Sequence, residues 1–133
     1  MARVTGRQAL AAAAAGAVIA LAAHHGQAAG AASGAPLSCQ HLEALWTSAG
    51  GSAGTALMAA EIATAESGGR QDATDPDSNG TVDRGLWQIN SVHGALSTYD
   101  PAGNARAAVL LSSDGTDWSP WVTYATGAYQ GRC

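Results

Sequence analysis

The run Glu66-Ser67-Gly68-Gly69-Arg70-Gln71-Asp72-Ala73-Thr74-Asp75-Pro76-Asp77-Ser78-Asn79-Gly80-Thr81-Val82-Asp83-Arg84-Gly85-Leu86-Trp87-Gln88-Ile89-Asn90-Ser91 joins a helix stop, a turn and an extended return in one segment. Ser67-Gly68-Gly69 ends a helix, because glycine readily takes the left-handed cap conformation, and Glu66 therefore falls in a last helical turn. The polar run from Arg70 to Asp83 contains Asn79-Gly80, a strong hairpin-turn signal, and predicts a small antiparallel sheet around it. After Leu86 the chain reads as extended. Gln88 and Asn90 alternate and face one side, while Trp87 between them faces the core.

Working outward, Ala53 to Glu66 predicts a helix with Leu57, Met58, Ile62 and Ala65 on its apolar face. Ala56, Ala59, Ala60 and Ala63 are small enough for close helix approach. Before it, Ser38 can cap a helix carrying Leu42, Leu45 and Trp46 at i, i+3 and i+4, which stops at Ala49-Gly50-Gly51. Downstream, Ser91 to Leu96 has no decisive pattern. Asp100-Pro101 reads as an N-cap and first helical position of a helix running through Asn104 to Leu111, and Pro120 opens a short helical piece through Trp121 and Tyr124 before Gly127. The expected fold is mainly α, of the α+β kind, with a small β-hairpin.

Sixteen of the 32 alanines lie in the first 35 of the 133 positions. There Arg3 and Arg7 precede an uncharged, weakly hydrophobic run from Ala9 to Ala23, and Ala29-Gly30-Ala31 fits a small-residue cleavage rule. Residues 1–31 are expected to be a secretory signal peptide and 32–133 one folded domain. The run is too short to span a bilayer comfortably, so no stable membrane insertion is expected after cleavage. Cys39 and Cys133 are the only two cysteines; behind an export signal, pairing is the simplest assumption.

Beyond residue 31, Arg70, Arg84, Arg106 and Arg132 face ten carboxylates, a formal charge of −6 with no lysine. That balance argues against nucleic acid or an anionic membrane as a partner held by charge. Asp75-x-Asp77-x-Asn79-Gly80-Thr81-x-Asp83 fits the first nine positions of a calcium loop, but Leu86 stands where the bidentate Glu would be, so no metal or other cofactor is expected. His41 and His93 lack metal partners in the sequence and read as surface or satisfied core residues.

Two carboxylates stand out chemically. At the end of a helix of small and apolar residues, Glu66 loses hydration and meets the negative end of the dipole; both effects favour the protonated, proton-donating form. Asp83 follows just past the expected turn, so the loop can return a second carboxylate across a cleft.

Glu66-Ser67-Gly68-Gly69, then Asn79-Gly80-Thr81-Val82-Asp83-Arg84-Gly85-Leu86-Trp87-Gln88-Ile89-Asn90-Ser91, resembles the lysozyme-like superfamily. Glu-Ser-Gly followed by Gly-Leu-Trp-Gln-Ile is similar to bacterial and phage lytic transglycosylases of the soluble (SLT) type, while the Asn-Gly-Thr-x-Asp run is similar to the hairpin of animal c-type lysozymes. One possible disulfide, rather than several, favours the bacterial branch.

The resemblance implies a secreted or wall-associated peptidoglycan glycosidase, a muramidase or lytic transglycosylase, cleaving the β-1,4 bond between N-acetylmuramic acid and N-acetylglucosamine. Glu66 would be the general acid and Asp83 the second carboxylate. A monomer acting on glycan strands is expected; the alternative is an exported wall-binding module without turnover. Gln88 and Asn90 are candidate sugar-binding residues, or else satisfy backbone groups. Trp118 and Trp121 could be sugar platforms, with core packing as the other reading. Tyr124 and Tyr129 replace the late Ala-Tyr-Asn-x-Gly segment of the transglycosylases and are further candidates to face the cleft.

Overall fold

The structure is a computed structural model that describes residues 34–133. The expected signal peptide, residues 1–31, lies outside the described residues. Ser38 caps helix α1 (Cys39–Ser48), its hydroxyl accepting from the His41 amide at 3.4 Å. A 3-10 turn over Ala53–Thr55 leads into α2 (Ala56–Ser67), which Gly68 ends in the left-handed conformation. Strands β1 (Thr74–Pro76), β2 (Val82–Arg84) and β3 (Ile89–Asn90) form an antiparallel sheet in that order. A 3-10 segment (Ser91–Leu96), α3 (Pro101–Leu111) and the one-turn α4 (Val122–Ala125) follow. Asp100 caps α3 by accepting from the Gly103 amide at 2.7 Å, and Pro101 takes the first turn, where a missing N–H costs nothing. The architecture is the expected one: helices with a small sheet.

Two expectations need correction. Leu57 is 54% exposed; of the expected apolar face Ile62 is buried and Met58 packs partly buried against the core, and the rest of the buried face is Ala56, Ala59, Ala60 and Ala63. Volume explains the choice. All four tryptophans gather in one cluster, with ring centroids 6.2 Å apart for Trp46 and Trp87, 5.5 Å for Trp46 and Trp118, and 4.9 Å for Trp118 and Trp121. Indoles of that size pack against a face of methyl groups, and Trp87 Nε1 comes close enough to donate to the Ala59 carbonyl at 2.9 Å.

The second correction concerns the indoles themselves. Trp118 is 2% exposed, between Trp46 and Trp121, and cannot offer a face to a sugar. Trp121 keeps a place in the lining of the cleft, though it is 5% exposed and its Nε1–H is spent on the Trp87 carbonyl at 2.8 Å. A core with no phenylalanine draws its bulk from tryptophan.

The buried Asn104 locks the sheet to α3. Its Oδ1 accepts from the Trp87 amide at 2.8 Å, and its Nδ2 donates to the Arg84 and Thr98 carbonyls at 2.9 Å each. Gly85 makes room for it. A Cβ there would lie 2.5 Å from Asn104 Nδ2 and 2.9 Å from the Thr98 carbonyl oxygen, on a backbone with φ of +77°.

The two ends of the described chain are tied down beside each other. The Leu37 amide donates to the Gly69 carbonyl at 2.8 Å, and the Gly131 amide donates to Glu61 Oε1 at 3.0 Å. Cys39 and Cys133 form the disulfide, with Cα atoms 5.8 Å apart. Gly69 is required where Leu37 crosses, because a Cβ would sit 2.5 Å from the Leu37 carbonyl oxygen.

Candidate active site

Strand register decides which side chains of the sheet share a face. Asp75 lies opposite Asp83, and Asp83 opposite Asn90, so these three form one row across β1, β2 and β3. All three line a cleft of about 390 Å³. Thr74 and Arg84 belong to the alternate row. Arg84 accordingly turns away, donating to Ser97 Oγ at 3.2 Å with its guanidinium 5.9 Å from the Tyr99 ring centre. Among the described residues, no lysine or arginine lines the cleft.

The far wall comes from α2 and the C-terminal region. Glu66, in the last turn of α2, faces the same cleft as Asp83, together with Leu111 of α3 and the segment Pro120 to Thr123. Its Oε1 accepts from Thr123 Oγ1 at 2.6 Å. Burial pushes the Glu66 carboxyl above its ordinary value of 4.5; the Thr123 hydroxyl and amide oppose this, and repulsion from Asp83 and Asp75 adds to it. Asp83 is also raised, by burial first and then by Asp77 and Asp75, with the Asn90 amide pulling the other way.

Asn90 is the clip of the sheet wall. Its Nδ2 lies 2.8 Å from Asp83 Oδ1 and 2.9 Å from both Asp77 Oδ2 and Thr81 Oγ1, while its Oδ1 accepts from the Val92 amide at 2.9 Å. Gln88 reaches the cleft by a different route from the expected extended segment. It sits in a turn with φ of +48°, which aims its Nε2 at the Ala73 and Gly85 carbonyls, at 3.1 and 2.8 Å. Both amide hydrogens are thereby used, and the side-chain oxygen is what remains for a ligand. Trp87 faces the core, as expected.

The turn between β1 and β2 is a five-residue loop, Asp77 to Thr81, closed by the Asp77 amide donating to the Thr81 carbonyl at 2.9 Å. Asn79 Oδ1 accepts from the Thr81 amide, and the one proton of the Thr81 hydroxyl is shared between Asn79 Oδ1 at 2.7 Å and Asp77 Oδ2 at 2.8 Å. These oxygens bond within the protein. Among the described residues, no group of three or more His, Cys, Asp or Glu could hold a metal ion.

Tyr124 and Tyr129 stack on each other at 5.4 Å and are not among the residues lining the cleft. On α4, directing Thr123 inward swings Tyr124 about 100° away, and Tyr129, beyond the helix, stacks on Tyr124, so the expectation that these tyrosines face the cleft is corrected. The lining residues that escaped the sequence reading of the site include Asp75, His93 and Thr123. His93, on the 3-10 segment, reaches the rim although its local pattern is featureless; Thr123 meets Glu66 across 57 positions, and no spacing rule signals such a contact.

The family model described as a lysozyme like domain matches residues 43–123. No curated protein and no solved structure matches the chain. The matched span covers more than half of the sequence and takes in Glu66, the sheet with Asp83, α3 and Thr123, and the chain belongs to the lysozyme-like domain family.

Proposed function

We propose that this protein is an exported glycosidase of peptidoglycan that cleaves the β-1,4 bond between N-acetylmuramic acid and N-acetylglucosamine. Family membership supports peptidoglycan lysis in general. The finer reading rests on one observation: two carboxylates from different walls of one cleft, both with raised proton affinity and no arginine or lysine among the described residues beside them.

Glu66 is the proton donor. With its proton affinity raised by burial, it gives its proton to the glycosidic oxygen as the bond to the sugar carbon breaks, and an alcohol leaves instead of an alkoxide. Positive charge then develops on the sugar ring. Asp83, fixed by Asn90 and reinforced by Asp75 and Asp77, is the ionised group that stabilises it or bonds to it. Arg84 would have quenched that field had the register placed it in the same row. Gln88 offers its side-chain oxygen to a hydroxyl or N-acetyl N–H of the sugar.

Digestion of purified peptidoglycan, followed by mass spectrometry, tests this reading. Reducing-end muropeptides identify hydrolysis, which a paired Asp83 favours, and products lighter by one water identify 1,6-anhydro formation. Glu66→Gln is expected to lower either rate at least roughly a hundredfold with the fold intact. A folded wild-type protein that binds glycan strands yet yields neither product would leave a wall-binding module instead.

A further inference from the structure

Thr123 makes a contact that a wall of the cleft does not need. Its side chain is half-buried on α4, and its hydroxyl hydrogen-bonds only Glu66 Oε1, at 2.6 Å, a short hydroxyl-to-carboxylate bond. Among the described residues, no other side chain hydrogen-bonds that carboxyl. The two oxygens of Glu66 are thus unequal. If the proton sat on Oε1, it would meet the Thr123 oxygen, and the hydroxyl would have to surrender its own acceptor; with the proton on Oε2, the hydroxyl keeps Oε1.

We propose that Thr123 is a positioning residue for proton delivery: by holding Oε1 of Glu66, its hydroxyl assigns the transferable proton to Oε2 and fixes the plane of the carboxyl in the cleft. This inference rests on the reading of Glu66 as general acid. The hydroxyl also favours the ionised carboxylate, opposing burial and the repulsion from Asp83 and Asp75. The titratable groups that share the cleft with Glu66 are Asp75 and Asp83 from the sheet and His93 from the 3-10 segment; α3 and α4 contribute only uncharged Leu111, Val122 and Thr123.

Thr123→Val keeps the shape and removes the hydroxyl. On glycan strands its kcat is expected to fall about tenfold with KM unchanged, since the loss falls on orientation in the transition state. The alkaline limb of its pH profile is expected to move to higher pH, because a group stabilising the ionised acid has gone. Thr123→Ser is expected to restore both, and Thr123→Ala reads the same change should the valine variant fail to fold. NMR titration of the Glu66 side-chain carboxyl carbon in the full chain gives a readout independent of turnover, expected to move upward in the valine variant and back in the serine variant.

A valine variant with wild-type kcat and an unmoved Glu66 titration overturns the inference. So does a serine variant as impaired as valine. A wild-type protein without turnover would defeat the proposed function alone, and the carboxyl titration would then decide whether the Thr123 hydroxyl holds Glu66: an upward shift rescued by serine supports that hold, and no shift overturns it.

Discussion

An ionised carboxylate that loses water on folding and gains another carboxylate as neighbour raises the free energy of the folded state. Glu66 and Asp83 are both in that position. Below the ordinary glutamate value of 4.5 the group is protonated in both states and costs nothing. As pH rises through that value the unfolded chain ionises first, so stability falls until the pH passes the raised folded value, and the cost persists above it. Glu66→Gln, whose amide oxygen can still accept from Thr123, should therefore melt above the wild type at neutral pH and lose that advantage below 4.5. Asp83→Asn should do the same more weakly, since Asp83 is the less buried. Calorimetry across pH checks this, and a neutral-pH melting temperature unchanged or lowered by Glu66→Gln would contradict it. The sequence exposed these two carboxylates because each sits beside local punctuation: glycines after Glu66, a turn before Asp83. Thr123 has no such marker, since only the tertiary fold brings it to Glu66.

At the scale of elements, sequence periodicity located the helices but put Leu57 on the buried face of α2. Hydrophobicity favours Leu57, whereas a core whose bulk comes from clustered indoles favours alanine. The same limit applies to Asn104, which a local reading leaves as one more polar helix residue, although it satisfies three backbone groups between α3 and the sheet. Asn104→Ala leaves those groups without their partner and is expected to cost on the order of 3 kcal/mol. Asn104→Asp separates hydrogen bonding from shape. It can still accept from the Trp87 amide, but it turns a carboxylate towards two carbonyl oxygens and should be at least as damaging despite equal size. Urea unfolding measures both, and an aspartate variant of near wild-type stability would mean that volume matters at this position more than donor placement.

On the scale of the whole molecule, the cleft is a meeting of distant parts: Glu66 comes from a central helix, Asp83 from the sheet, and Thr123 from a short helix ten positions before the terminal Cys133. The disulfide ties that last region to the start of α1 across 94 positions. The two cysteines made the pairing legible in the sequence, but they did not show that the tied segment carries a wall of the cleft. Restricting so long a loop in the unfolded chain is worth about 4 kcal/mol in the chain-entropy model. For a domain of this size that corresponds to a fall in melting temperature on the order of 20 °C upon reduction. Two hydrogen bonds at the same ends, one from the Leu37 amide to the Gly69 carbonyl and an exposed one from the Gly131 amide to the Glu61 carboxylate, are too weak to replace it, since each is worth only about 1 kcal/mol net. On warming, the reduced protein should therefore lose glycan cleavage before its helical circular dichroism, as the released C-terminal segment takes Thr123 from Glu66 while α1 to α3 remain packed. Cys39→Ser with Cys133→Ser should behave alike. Activity and helical signal lost together, with melting within a few degrees of the oxidised protein, would show instead that the Trp118 and Trp121 contacts hold the cleft wall without the disulfide.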